Sequence, residues 1–331
     1  MNKKDLEIAK QKILDRIKNS DNFAILVSDP DEDAIGSGLA MEEILVQLGK
    51  QVKLFSSFEV DQYKYLPHNS RFIIKDITTI DYSDFKTLIV LDAGEIYRLY
   101  NQVKHPEQFV FPPDTFVINI DHHPDNPLFG SIDYVPSSIA SSAGELLYDI
   151  FKDEIDITKT IATNLLAAII GDTGCFRYSN TSPHTLNVAS KLISYKAQHR
   201  MIINKVYYDH NFTIVKKTIN VLQNIEIKTI SKYTFAYVVL DNEKETVEQM
   251  RHEILRSIKE INFYIVLKRK GEKRTKISFR SKDTAISKIA ELLGGGGHPE
   301  SAGVIVDFPP DVALEKIEEL LRTHKLKKFT Y

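Results

Sequence analysis

Carboxylate and imidazole side chains recur along the first half of the sequence, and most of them directly follow an apolar run. The sets are Asp29-Pro30-Asp31-Glu32-Asp33, Asp92, Asp121-His122-His123 and Asp172. Parallel-sheet proteins gather functional groups at the carboxyl ends of their strands, so these sets are expected to meet in one cleft. Carboxylates combined with imidazoles indicate a pair of hard or borderline divalent metals, and such a pair favours phosphoryl chemistry.

Asp31 and Asp33 lie between a predicted strand end and a predicted helix start. Two carboxylates at this spacing can point toward adjacent metals, while the helix N-terminus favours their negative charge. An N-cap followed by an acidic first turn would use the same residues, and that interpretation stays open. Asp92, at the end of another apolar run, suits a turn cap as well as a metal ligand.

The Asp121-His122-His123 segment is a stronger signal, because adjacent histidines on extended backbone diverge and can serve a metal and a substrate separately. A surface turn with incidental histidines is the alternative. Asp172 follows a run of small and apolar residues. Burial of its charge has to be compensated, and either a metal or an N-cap role would do so.

The second half carries two candidate anion sites. Gly294 to Gly297 form an uninterrupted glycine run before His298. Glycines are used where a ligand approaches the main chain, and exposed amides in such a predicted loop can cradle a phosphate. A flexible linker is the alternative. Arg280-Ser281, at the end of a predicted strand, equally suits an anion contact or a solvated edge.

The elements that must position these groups alternate between strands and helices. Strands are predicted at 23–27, 51–55, 87–91 and 115–120, and helices at 34–48, 142–151 and 158–170. This alternation predicts a doubly wound, mainly parallel sheet. A helical stretch follows over 183–222. Strands at 234–240, 262–268 and 275–281, with helices at 247–259 and 283–293, then predict a smaller α/β domain.

The predicted organisation is a metal-binding catalytic domain over 1–190, a helical connector over 191–224 and a substrate-binding domain over 225–331. A chain of 331 residues has room for two such cores. Its formal net charge of −2 disfavours avid binding to long DNA. The single cysteine, Cys175, removes thiolate-rich metal sites and fits a reducing compartment. No secretory leader or membrane span is evident, so a cytoplasmic location is expected.

In this order and spacing, the motifs resemble the DHH/DHHA1 phosphoesterase family over nearly the whole chain. The matching motifs are PDEDAIGS from Pro30, the strand-end Asp92, DHHPDN from Asp121, SSAGELLY from Ser141, GDTGCFRYSNTSP from Gly171, ISFRS from Ile277 and GGGGHPESAG from Gly294. The resemblance is greatest to the smaller two-domain members, which degrade nano-RNA, adenosine bisphosphate, or linear and cyclic dinucleotides.

The resemblance implies a manganese-dependent hydrolase with its active site between the two domains and two Mn²⁺ per site. It implies that Asp31 binds metal one, that Asp33, His122 and Asp172 bind metal two, and that Asp92 bridges the two metals. It places His123 at the scissile phosphate. For substrate binding it implies Arg280, Ser281, Gly295, Gly296, Gly297 and His298. Short oligoribonucleotides or dinucleotides are the expected substrates, and an exposed sheet edge is compatible with a homodimer.

One position departs from the family pattern. The family places a metal-one histidine four residues before the position of Asp31, where this sequence has Val27. Site one therefore retains only Asp31 and the shared Asp92, with Asp29, Ser28 or water left to complete it. This keeps a degenerate nucleotide sensor open as an alternative to the phosphodiesterase hypothesis. A pyrophosphatase-like hydrolase with a related catalytic domain is a separate alternative, which the glycine run before His298 disfavours.

Overall fold

The computed structural model describes residues 1–100, 109–137, 140–241 and 248–328, without the side chains of residues 248, 249 and 298. The chain divides into two units, Met1–Tyr208 and Asp209–Tyr331. The domain limits predicted from the sequence, including the connector over 191–224, stay predictions. The predicted fold class is confirmed, because each unit has a six-stranded sheet covered by helices.

Unit 1 contains a fully parallel sheet. Its strands are β1 (Asn22–Val27), β2 (Gln51–Ser56), β3 (Phe72–Ile74), β4 (Thr87–Leu91), β5 (Phe116–Ile120) and β6 (Ile132–Tyr134). Their spatial order is β3-β2-β1-β4-β5-β6, so β1 lies between β2 and β4 and the winding direction reverses there. Ligands of doubly wound sheets bind at this reversal, beyond the carboxyl ends of the strands.

The central strands are buried on both faces, as expected for a parallel sheet. In β1, Ile25 and Val27 join one apolar cluster, while Ala24 and Leu26 join the cluster on the opposite face. The helices of unit 1 are α1 (Lys3–Lys18), α2 (Glu32–Gln47), α3 (Ala143–Phe151), α4 (Lys159–Asp172), α5 (Pro183–Ser194) and α6 (His199–Ile203).

Helices α2 and α4 pack against each other, and this contact brings two candidate ligands together. A Cβ placed on Gly36 of α2 would lie 2.5 Å from the carbonyl oxygen of Asn164 in α4, so only glycine permits the approach. Asp33 lies in the first turn of α2, and Asp172 is the last residue of α4. An N-cap role for Asp172 is therefore wrong, since its helix ends there.

Unit 2 contains a mixed sheet. Its helices and strands are α7 (Phe212–Leu222), β7 (Glu226–Ile230), β8 (Tyr233–Leu240), α8 (Glu248–Ser257), β9 (Phe263–Arg269), β10 (Thr275–Ser281), α9 (Ser287–Leu292), β11 (Gly296–His298), β12 (Ser301–Val306) and α10 (Pro310–Thr323). The order is β11-β12-β10-β9-β8-β7, with β8 and β9 parallel and the other neighbours antiparallel.

The prediction that the glycine run is a loop throughout is wrong. Gly296–His298 form β11, which pairs with Ser301–Gly303 of β12. Two of the glycines are required by packing. A Cβ on Gly295 would lie 2.2 Å from the carbonyl oxygen of Gly303, and one on Gly297 would lie 2.6 Å from that of Ser301. Gly294 instead has a left-handed backbone, with φ of 88°.

Candidate metal centre

The predicted ligands of unit 1 come from the ends of β4 and β5, the N-terminus of α2 and the C-terminus of α4. Asp92 follows β4 directly, and the Asp121-His122 pair follows β5. Asp92 has a φ of 54°, a left-handed conformation that is uncommon outside glycine but tolerated by aspartate. Such unusual backbone conformations cluster at functional sites.

His122 lies at the centre of the cluster. Its Nε2 is 3.3 Å from Oδ2 of Asp172, 3.4 Å from Oδ1 of Asp92 and 3.8 Å from Oδ2 of Asp33. His122, Asp92 and Asp33 are buried, whereas the side chain of Asp172 is 31% exposed. The structure therefore brings together these four side chains, which come from four separate segments of the sequence.

Neighbouring groups orient these side chains. Oδ2 of Asp33 accepts a hydrogen bond from the amide of Ala143 at 2.6 Å, and Oδ1 accepts one from Gly144 at 3.0 Å, both at the N-terminus of α3. Nδ1 of His122 lies 3.3 Å from the carbonyl oxygen of Ala140, which can only accept. Nδ1 therefore carries a proton, and Nε2 is the nitrogen directed at the carboxylates, as metal-binding histidines require.

Electrostatic repulsion within the cluster is strong. Burial, together with repulsion from Asp92, raises the pKa of both Asp31 and Asp33 well above the ordinary range. Burial alone would lower the pKa of His122, but Asp172, Asp92 and Asp33 outweigh it and raise that pKa well above its usual value. Several carboxylates buried together are costly unless a cation compensates them.

Site one is less complete than site two. Asp31 is the N-cap of α2, where its Oδ1 accepts a hydrogen bond from Ala34 at 2.9 Å. Asp31 is therefore an N-cap. It also lies near Asp92 and Asp172, and burial together with their negative charges raises its pKa. Val27 is fully buried in the apolar core. Ser28 takes part through Asp92, because its hydroxyl donates to Oδ2 of Asp92 at 3.3 Å.

The donor set fits a divalent metal at site two. Ligand atoms of Asp33, His122 and Asp172 lie within 4.8 Å of one another, and so do those of the group Asp92, Asp121, His122 and His123. Three carboxylates and one imidazole converge there, and outer hydrogen bonds orient Asp33, Asp92 and His122, a combination that suits a divalent metal. Site one offers only Asp31 and the shared Asp92 among the ligands proposed from the sequence.

His123 belongs to a hydrogen-bonded chain that the sequence did not predict. Its Nδ1 is 2.7 Å from Oδ1 of Asp121, and its Nε2 is 2.9 Å from Nη1 of Arg98. Asn126 supports Asp121, donating to Oδ2 at 2.7 Å. The hydrogen bond from His123 lowers the pKa of Asp121 to about 2 despite burial. Asn126 lies inside the DHHPDN motif and was recoverable from it, whereas Arg98 carries no signal of its own.

The predicted substrate-binding residues all belong to unit 2. Arg280 is half-buried, and its Nη1 donates to the carbonyl oxygen of Phe279 at 2.9 Å. Ser281 is fully buried, and its hydroxyl accepts a hydrogen bond from the amide of Thr284 at 2.9 Å. Gly296 has open space where a Cβ would project. The side chain of His298 lies outside the described part of the structure, so its predicted substrate contact stays a prediction.

Both units match known domain families. Residues 22–169 match the DHH family N-terminal domain, and residues 231–327 match the DHHA1 domain. None of the helices in the described ranges combines the length and apolar character that crossing a bilayer requires.

Similar proteins cover almost the entire chain. The bifunctional oligoribonuclease and PAP phosphatase NrnA of Thermus thermophilus is 32% identical over 310 residues, covering 89% of this chain and 87% of that protein. The protein of the same description from Bacillus subtilis is 26% identical over 313 residues, covering 89% and 93%. The crystal structure of an exopolyphosphatase-related protein from Bacteroides fragilis has the same fold, with a TM-score of 0.80, 22% identity and 96% coverage of each chain.

Proposed function

The chain belongs to the DHH/DHHA1 phosphoesterase family, and from this premise we propose that it hydrolyses short nucleotides to mononucleotides with the help of Mn²⁺. The observation that carries the proposal is the buried convergence of His122 with Asp33, Asp92 and Asp172 in unit 1. Relatives described as oligoribonucleases and PAP phosphatases support pApA, pAp and short RNA as the substrate class.

The residues of unit 1 divide into metal ligands and a phosphate contact. Asp33, His122 and Asp172 would hold metal two, Asp31 would hold metal one, and Asp92 would serve both. Mn²⁺ bound there would supply the Lewis acidity that brings the pKa of a coordinated water toward neutrality. The hydrogen bonds from Ala143 and Gly144 keep the Asp33 carboxylate in place without further rearrangement.

His123 is proposed to contact the scissile phosphoryl group. Its Nδ1 proton is donated to Asp121 across 2.7 Å, so Nε2, which lies 2.9 Å from Nη1 of Arg98, is the nitrogen proposed to face the substrate. If Nε2 is protonated when substrate binds, the imidazole can donate to a phosphoryl oxygen as negative charge develops there. Asp121, with its lowered pKa, stays ionised and stabilises that imidazolium.

Unit 2 is proposed to hold the remainder of the substrate. Arg280 supplies a cation at the end of β10, and Gly296 offers an unobstructed surface where a substrate can approach the main chain. Ser281 is proposed to act indirectly, because its buried hydroxyl fixes the backbone that follows Arg280. Homodimer formation stays a prediction.

A chromatographic hydrolysis panel tests the proposal. The purified chain is incubated with Mn²⁺ and, separately, pApA, pAp, cyclic di-adenylate, an RNA five-mer and pyrophosphate. We expect AMP from pApA and pAp, and mononucleotides from the five-mer. Hydrolysis of pyrophosphate alone would replace this function by a pyrophosphatase. Nucleotide binding without any product would instead indicate a sensor. The first variant to test would then be Val27→His, which introduces the histidine of the family pattern.

A further inference from the structure

Arg98 is a cation inside the candidate metal centre that the proposed mechanism leaves without a role. It lies in a short 3-10 helix, Ile96–Leu99, which follows β4 and Asp92. Its Nη1 lies 2.9 Å from Nε2 of His123, the nitrogen proposed to face the scissile phosphate. Arg98 as a whole residue is half-buried, so part of its surface contacts solvent.

The charges around Arg98 are those of site one. Burial alone would lower the pKa of Arg98, but Asp92, Asp31, Asp29 and Asp121, in that order, raise it. The first two are the carboxylates proposed for metal one. A fixed positive charge beside them offsets their repulsion and also opposes the binding of a second cation there.

The positive charge of Arg98 matters because site one has few metal ligands. Val27 has no donor atom and is fully buried in the core, so it contributes nothing to a metal. An arginine cannot replace a histidine as a ligand. Its planar guanidinium can instead bind two oxygens of a phosphate through paired hydrogen bonds. The site therefore contains a cation of a type that can bind phosphate, beside the carboxylates of its less complete metal site.

We propose that Arg98 binds the scissile phosphoryl group. Its positive charge adds to that of the metal at site one, whose ligand set lacks a histidine at position 27. Without substrate, Arg98 donates to Nε2 of His123. A bound phosphoryl group then replaces Nε2 of His123 as the acceptor for the guanidinium. This inference rests on the proposed function, since it assigns a residue to that same site.

Calorimetric titration of the full-length chain separates this role from a purely structural one. The variants are Arg98→Gln, Arg98→Lys and the control Arg200→Gln, which alters an exposed arginine of α6. Two ligands are used: Mn²⁺ alone with metal-free protein, and AMP with Mn²⁺-saturated protein. AMP carries the former scissile phosphate of pApA. Circular dichroism verifies that each variant is folded.

Opposite changes in the two affinities are expected. Arg98→Gln should bind AMP about tenfold or more weakly, the usual scale for a lost charged hydrogen bond, and should bind Mn²⁺ at least as tightly as the unmodified chain. The AMP affinity of Arg98→Lys should lie between those of Arg98→Gln and the unmodified chain, because lysine keeps the charge but loses the paired geometry. The control should match the unmodified chain for both ligands.

Two results would overturn the inference while leaving the proposed function intact. Unchanged AMP affinity in Arg98→Gln would remove phosphate binding by Arg98. A parallel loss of AMP and Mn²⁺ affinity would mean that Arg98 only maintains His123 and its surroundings. If the unmodified chain bound neither ligand, the proposed function would fail, and the inference about Arg98 would fail with it.

Discussion

Nδ1 of His123 donates its proton to Oδ1 of Asp121 across 2.7 Å, which leaves Nε2 as an acceptor for Arg98. The assignment follows from the partners, because an arginine can only donate and the carboxylate of Asp121 is ionised. The first aspartate of the DHH motif thus fixes the tautomer of its last histidine. Asp121 is therefore a positioning residue for His123 in the proposed mechanism.

Asp121→Asn should lower kcat by about tenfold to a hundredfold, the usual effect of losing a residue that orients a functional histidine. Asparagine cannot accept from both His123 and Asn126 with the same strength, and it no longer stabilises an imidazolium. Steady-state kinetics with pApA measures the effect. Asp125→Asn, an exposed aspartate in the same loop, is the matched control. Equal kcat values in the two variants would contradict the positioning role.

Mn²⁺ should stabilise the protein more at pH 8 than at pH 5.5. The pKa values of Asp31 and Asp33 are raised, so the metal-free fold binds extra protons and loses stability as pH rises through those values. Mn²⁺ competes with these protons and so binds better at high pH. At a hundredfold excess over its Kd, it should contribute about 2.7 kcal/mol.

Differential scanning calorimetry at both pH values measures this stabilisation. Asp33→Asn should lose most of the Mn²⁺ response, since it removes one ligand while keeping one acceptor oxygen for the amides of α3. A Tm that rises equally at both pH values, or not at all, would show that Mn²⁺ does not bind the buried carboxylates.

The neighbouring glycines Gly295 and Gly296 should respond differently to alanine. In Gly295→Ala the new methyl group meets the backbone of Gly303, so the free energy of unfolding should fall by about 1–3 kcal/mol. In Gly296→Ala the methyl group projects into open space, so stability should be retained. If substrate approaches this backbone, the same variant should raise KM for pApA. Urea unfolding measures the stability of both variants, and steady-state kinetics measures their KM. Equal destabilisation by the two substitutions would refute the packing argument.

The central strands were predictable because burial on both faces leaves a continuous apolar signature, as in Thr87–Leu91. Short edge strands lack it. Phe72–Ile74 has three residues, of which Ile73 and Ile74 are exposed, and no periodicity can be read from it. Gly296–His298 is extended only because β12 pairs with it, and glycine itself has no preference for strands.

The candidate site likewise has parts that the sequence predicted and parts that it did not. Ligands at strand ends were predictable, because sheet topology alone brings Asp92 and His122 to one edge. Arg98 was not, since its contact with His123 joins positions 25 residues apart through a short helical turn. The packing roles of Gly295 and Gly297 were also hidden, because they depend on atoms of β12 that are distant from any sequence pattern.

The central claim is that the buried carboxylate and imidazole cluster of unit 1 hydrolyses short nucleotides, with Asp92 proposed as the ligand that its two metals share. The most direct measurement is the rate of AMP release from pApA with Mn²⁺, comparing the unmodified chain with Asp92→Asn. Asparagine tolerates the left-handed backbone at this position, and exposed Asp114→Asn serves as the control. We predict that Asp92→Asn is slower by at least about a hundredfold, because a lost shared ligand removes several kcal/mol of metal stabilisation of the transition state. An Asp92→Asn protein that retained full Mn²⁺-dependent activity would contradict the account.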